Sequence, residues 1–270
     1  MNEPHSVTED TYILPSHFAI PGVGVLPVNA FLILGEEPVL VDTGLARESE
    51  EFLEALRTVI DPRELRWIWL THDDSDHTGS LRKVLELAPR AQLLTHSFAA
   101  IRMSGGWAVP LERVRVVAPG DSINVGDREL AAIKPVLFDN PMSVGLYDAS
   151  SRALFWVDAC GAILPRESKD AAEFSEDELR QGILAWESFY SPWVALAEGE
   201  KFVKLLDGVR TLAPELILSS HLPPARGMTD QLLDVLALLP TVAPFVSPDH
   251  GAFAQVAAAL SDSSSTRWRS

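Results

Sequence analysis

One short stretch constrains this chain more than any other: Thr71-His72-Asp73-Asp74-Ser75-Asp76-His77-Thr78-Gly79. It follows the apolar run Trp67-Ile68-Trp69-Leu70 and precedes a helix-like segment from Leu81 to Leu87. His72, Asp74, Asp76 and His77 thus fall within six positions at the carboxyl end of a strand. In extended geometry His72 and Asp74 project from one face, because side chains alternate with period two. Asp76 and His77 come where the chain turns into the helix, so they are free to point at a second, adjacent position. One loop is therefore able to serve two metal ions. The bland alternative is a helix amino terminus carrying solvated acids that the helix dipole favours. Two flanking histidines at metal-ligand spacing argue against it.

Composition narrows the class of partner. A chain of 270 residues is long enough for one large α/β domain or two small ones. A formal charge of -16 argues against nucleic acid or an anionic membrane, since both require clustered Lys and Arg. No apolar run of about 18 residues occurs, and the start, Met1-Asn2-Glu3-Pro4-His5, is polar and acidic. Both features argue against a transmembrane span and a secretory signal. The single Cys160 allows neither an internal disulfide nor a dithiol pair. A cytoplasmic location is the expectation.

Residues 1–10 and 261–270 read as flexible polar tails around one domain at 11–260. Within it, strand-like runs at 30–34, 39–41, 67–70, 92–95, 114–117, 130–135, 143–147, 154–157 and 216–219 alternate with helical patterns. The helices are expected at 48–60, 80–88, 98–103, 176–189, 196–212, 230–238 and 251–260. That alternation implies a layered α/β sandwich. A short internal echo accompanies it. Val39-Leu40-Val41-Asp42-Thr43-Gly44 and Leu154-Phe155-Trp156-Val157-Asp158-Ala159-Cys160-Gly161 both run apolar strand, Asp, small residues, Gly. Each places a carboxylate at a strand end, with Gly easing the turn that follows.

Together these landmarks resemble the metallo-β-lactamase superfamily, a four-layer αββα sandwich with a dinuclear metal site along one edge. The resemblance covers roughly Tyr12 to Gly227 and rests on VDTG at 41–44, the THDDSDHTG loop, WVDACG and LSSHLPPARG, in that order. Most hydrolases of the superfamily carry H-x-H-x-D-H. This chain has H-x-D-x-D-H, with Asp74 where the second His would be. Flavodiiron proteins and their stand-alone diiron relatives put a carboxylate there. The stretches PVLFDNPMS at 135–143 and Tyr190-Ser191-Pro192 are similar to segments of that same branch.

The ligand set that the resemblance implies is His72, Asp74 and Asp139 on one metal, and Asp76, His77 and His221 on the other. Asp158 bridges the two. Four carboxylates balance two divalent cations, and an oxygen-rich set suits iron better than zinc, with manganese also admissible. Asp42 or Asp73 is expected to orient the ligand histidines. Tyr190 and Trp193 belong to an aromatic cluster that either packs in the core or walls the pocket.

Two functions compete at this level. The first is a diiron protein that binds or reduces a small oxidant such as dioxygen or nitric oxide, or uses it to oxidise a substrate. Electrons would then come from a separate donor, because these residues include no flavin domain and no Cys₄ iron site. The second is a metal-dependent hydrolase of an ester, thioester or lactone, of the glyoxalase II or lactonase type. A sensor module with a partial site is a third, non-catalytic reading. The stretch ALLPTVAPFVSP after 230 offers either a homodimer surface or a cap on the sandwich.

Overall fold

The computed structural model describes residues 1–247, 249–251, 254 and 258. Its strands form two sheets. The first contains, side by side in chain order, β1 (His5–Ser6), β2 (Thr11–Ile20), β3 (Gly24–Ile33), β4 (Val39–Val41), β5 (Trp67–Trp69), β6 (Gln92–Thr95) and β7 (Val114–Val116). The second contains β8 (Ser122–Asn124), β9 (Glu129–Ile133), β10 (Gly145–Asp148), β11 (Ala153–Phe155), β12 (Leu216–Leu218) and β13 (Ala225–Arg226), again in order. Helices α1 (Ser49–Val59), α2 (Leu81–Leu87) and α3 (Ser97–Ser104) connect the parallel strands β4 to β7. Helices α4 (Glu176–Tyr190) and α5 (Gly199–Leu212) lie between β11 and β12, which are also parallel, and α6 (Thr229–Leu236) follows β13.

Side-chain alternation explains the four layers. Val39 and Val41 enter the core between the sheets, with Phe31, Trp69, Leu146, Phe155 and Leu218. Leu40 turns the other way, with Ile68 and Leu93, onto Phe52, Leu56, Leu81 and Leu85 of the first helical layer. Leu154 and Ile217 do the same in the second sheet, meeting Ile183, Phe202, Leu206 and Leu233. Strands covered on both faces carry no polar alternation, which is why they read as the unbroken runs VLV, WIW and LIL. The expected αββα sandwich is the fold observed.

Several boundaries differ from expectation. The segment 1–10 is not loose: Asn2 N–H donates to the Pro15 carbonyl at 2.9 Å, and His5 and Ser6 pair with Ile13 and Tyr12. Strand β2 and the first half of β3 had no clear strand pattern, because Pro15, Ser16 and His17 interrupt one and Pro27 the other. Strands β8 and β13 are too short to show a period. The helix expected at 251–260 lies largely outside the described residues, and the tail at 261–270 wholly so. Among the described residues no helix is long and apolar enough to cross a membrane. The carboxyl ends of β4, β5, β11 and β12 open onto one edge, the usual location of a site in such sheets.

Candidate metal centre

Five loops meet at that edge. Strand β4 leads into Asp42, β5 into the 71–79 loop, β11 into Asp158 and β12 into His221, and the β9–β10 connection carries Asp139. The first two loops are stitched together. Thr43 donates from both its N–H and its hydroxyl to the His77 carbonyl, at 2.8 and 2.7 Å, and Gly79 N–H donates to the Gly44 carbonyl at 2.9 Å. A Cβ on Gly79 would stand 2.2 Å from the Ala46 nitrogen, so only glycine fits this crossing. Asp42, Val157 and Cys160 hold left-handed backbone, with φ of 60°, 55° and 64°. Such conformations cost on the order of 1 kcal/mol or more each and concentrate where surrounding structure dictates a side-chain direction. Here one of them is the first carboxylate of the internal echo, Asp42, and the other two bracket the second, Asp158.

The three histidines share one arrangement. His221 Nδ1 lies 2.7 Å from the Pro27 carbonyl, which only accepts, so Nδ1 carries the hydrogen. His77 Nδ1 lies 2.8 Å from Asp42 Oδ2 and carries its hydrogen for the same reason. The Thr71 hydroxyl donates to Asp42 at 2.8 Å and therefore accepts from His72 Nδ1 at 3.2 Å. Each Nε2 is left as a bare lone pair, and all three converge on Asp158. The separations are 3.3 Å from His72, 3.0 Å from His77 and 3.1 Å from His221.

All seven expected ligands come together. His72, His77 and Asp158 form one group of donor atoms within 4.8 Å of one another; Asp76, His77 and His221 form a second, and His72, Asp74 and Asp139 a third. His72, His77, Asp158 and His221 are buried, whereas Asp139 is exposed. His77 Nε2 and Asp158 Oδ1 are buried with no hydrogen-bond partner. A lone pair facing a carboxylate in a buried site calls for a cation between them. With metal-free residues, protons take that part. Burial alone would lower His77, but Asp158, Asp42 and Asp76 together hold it well above its ordinary value. Burial would raise Asp158, yet the neighbouring His77 and His72 hold it well below the usual carboxylate range. The donor set fits metal.

Tyr190 stands among these carboxylates as a hydrogen-bond donor. Its hydroxyl lies 2.7 Å from Asp139 Oδ1 and also contacts Asp158 Oδ2. Burial and the two carboxylates push its ionisation far up, so the phenol keeps its proton. Although the residue as a whole is exposed, the Asp139 carboxyl faces the site and is raised, chiefly by its partial desolvation there, against the opposing effect of the Tyr190 hydrogen bond. Trp186 stacks on Tyr190 with centroids 5.0 Å apart and lies 4.8 Å from the His221 ring. Trp193 anchors the Asp139 loop, donating from Nε1 to the Phe138 carbonyl at 2.8 Å.

Of the two expected orienting carboxylates, Asp42 contacts a histidine. Asp73 instead pairs with Arg102 at 3.0 Å and accepts from Asn140. Sequence reasoning missed Thr71, Asn140 and Glu187. Glu187 is fully buried, and its Oε1 accepts from Cys160 N–H at 2.9 Å. Burial pushes its carboxyl well above the ordinary range. A glutamate in a charged helix reads as a solvent-facing residue, and the apolar Ile183 and Trp186 on the same stretch were the signal that could have suggested otherwise. His96 caps α3, accepting from Phe98 N–H at 3.2 Å.

Comparison with known proteins gives this geometry a family. A family model described as ODP family beta lactamase matches residues 26–221, well over half of the chain. The chain belongs to that family. It is 33% identical to a putative diflavin flavoprotein A 2 of Nostoc sp., over 49% of this chain and 23% of that protein. It is 28% identical to an anaerobic nitric oxide reductase flavorubredoxin of Vibrio vulnificus, over 72% of this chain and 39% of that protein. The matched region thus spans less than half the length of either relative. Among solved structures, rubredoxin oxygen:oxidoreductase from Desulfovibrio gigas superposes with a TM-score of 0.76 at 21% identity, covering 88% of this chain and 61% of that one. The flavodiiron protein from Giardia intestinalis gives 0.75 at 18% identity, covering 88% and 59%. The fold of this ODP family member is therefore that of flavodiiron cores.

Proposed function

We propose that this ODP family protein is a dinuclear iron protein that reduces dioxygen or nitric oxide with electrons from a separate donor. The observation that carries the reading is the donor set itself. Three imidazoles and four carboxylates lie in overlapping groups joined through His72 and His77, with Asp158 within 3.3 Å of all three imidazoles. His72, Asp74 and Asp139 would hold one ion, Asp76, His77 and His221 the other, and Asp158 both. Four carboxylate charges balance two divalent ions, and the hard, oxygen-rich set favours iron over zinc. Relatives named as a nitric oxide reductase flavorubredoxin and as an oxygen:oxidoreductase support the choice of oxidant.

Two bound ferrous ions would supply electrons and open positions for a diatomic oxidant. The chain's own residues supply the rest. Asp42, Thr71 and the Pro27 carbonyl fix all three imidazoles with Nε2 inward. Tyr190 holds a proton at its hydroxyl, against Asp139 and Asp158, where reduction of an oxidant consumes protons. Trp186 and Tyr190, both largely buried, exclude water from the His221 side.

The test is anaerobic loading with ferrous iron followed by addition of oxygen or nitric oxide. An optical change with consumption of the gas is the expected result. An iron-loaded protein that leaves the gas and its own spectrum unchanged contradicts the proposal.

A further inference from the structure

We infer that Asn140 is a positioning residue for the first metal ion, and that Arg102 steadies it from the protein surface. The inference rests on the reading of Asp74 as a ligand. Asn140 is buried, and its amide is fully engaged. Nδ2 donates to Asp73 Oδ1 at 3.1 Å and to Asp74 Oδ1 at 3.0 Å, while Oδ1 accepts from Met142 N–H at 3.1 Å. The Met142 N–H fixes which end of the amide is which, because it can only donate.

The consequence for Asp74 is a division of labour between its oxygens. Oδ1 is occupied by Asn140, and Oδ2 faces the centre, 3.5 Å from His72 Nε2. Asp74 is only partly buried. A short carboxylate on a turn would otherwise rotate toward water. Asp73, its neighbour in sequence, repels it, and the Asn140 amide lies between the two charges as a shared donor. The far oxygen of Asp73 takes Arg102 Nε at 3.0 Å. An ion pair from the half-exposed Arg102 to Asp73 thus continues through the two Asn140 hydrogen bonds to Asp74. Asn140 also follows Asp139 directly, so the same anchor fixes the backbone beneath the other carboxylate of the first ion. Hydrogen-bonded partners of this kind tune ligand orientation and typically contribute 10–100-fold to metal affinity.

The experiment is titration of the metal-free, full-length protein with cobalt(II) against a competing chelator, with the visible cobalt spectrum as a second readout. Wild-type protein should take up two ions. Asn140→Asp keeps the side-chain shape but replaces the shared donor with a third carboxylate. It should weaken one ion by about 10–100-fold, alter the cobalt spectrum of that ion and leave the other unchanged. Arg102→Gln touches no ligand and should produce a smaller shift in the same ion; it decides the matter if Asn140→Asp fails to fold. Wild-type affinity and spectrum in these variants would overturn the inference, as would equal weakening of both ions. Wild-type protein that binds fewer than two ions contradicts the dinuclear reading itself and takes this inference with it. The two failures are thereby told apart.

Discussion

His77 Nδ1 lies 2.8 Å from Asp42 Oδ2, and this one contact decides which nitrogen of His77 faces the centre. Asp42 is itself fixed by left-handed backbone and by two donors from Thr71, its N–H at 2.9 Å and its hydroxyl at 2.8 Å. On the far side of the ring, Nε2 meets Asp158 Oδ1. The two carboxylates of the internal sequence echo therefore grip one imidazole from opposite ends, one as orienting partner and one as proposed ligand.

Asp42→Asn tests that grip. Its amide can turn a donor toward Nδ1, which would move the hydrogen to Nε2 and block the lone pair. Affinity for the second ion should fall by roughly 10–100-fold with the fold intact. Chelator competition and circular dichroism would check both halves. Unchanged affinity would show that the tautomer is set elsewhere.

Gly161→Ala tests the packing behind His221. A Cβ there would lie 2.3 Å from Trp186 Nε1 and 2.9 Å from His221 Cβ, so one ring must move. The variant should retain the first ion and lose most of the second, as read by metal analysis after gel filtration. Two tightly held ions would mean that Trp186 gives way without disturbing His221.

How much of this was legible beforehand follows from where each signal lies. Loops that leave buried parallel strands announce themselves, because VLV and WIW have no polar alternation and end abruptly in Asp or His. The 71–79 loop was therefore readable as a metal site, and the resemblance to the metallo-β-lactamase superfamily joined Asp158 and His221 to it. Asn140 and Glu187 were not, since their partners stand 66 and 27 positions away in sequence. Asp73 looked like an orienting residue because it neighbours His72, but its side chain points to Arg102. Strand β2 was hidden by Pro15 and by its exposed outer end at His17–Ile20.

Tyr190→Phe removes the hydrogen bond to Asp139 and Asp158 while keeping the stack on Trp186. Both ions should remain bound, and the rate of oxidant reduction should fall by about 10²-fold or more. Steady-state gas consumption with a chemical reductant would measure it. A wild-type rate would remove Tyr190 from any part in proton supply.

Glu187→Gln gives a pH signature in the metal-free protein. The carboxyl has an ordinary value of 4.5 and is held well above it in the fold, chiefly by burial. The folded state therefore binds more protons than the unfolded state between those two values. Stability tied to the neutral carboxyl is complete below the ordinary value and is lost as pH rises through the folded one. Gln is neutral throughout. Urea melts from pH 5 to 8 should show wild type losing up to about 1.4 kcal/mol per pH unit relative to the variant. Parallel curves would mean that the Glu187 carboxyl is ionised in the fold.

The most direct measurement is the metal content of the protein purified anaerobically without added metal. About two irons per chain is the expected result, matching the four carboxylates and three imidazoles at the edge of the sandwich. Stoichiometric zinc, or a single ion per chain, would contradict a dinuclear iron centre.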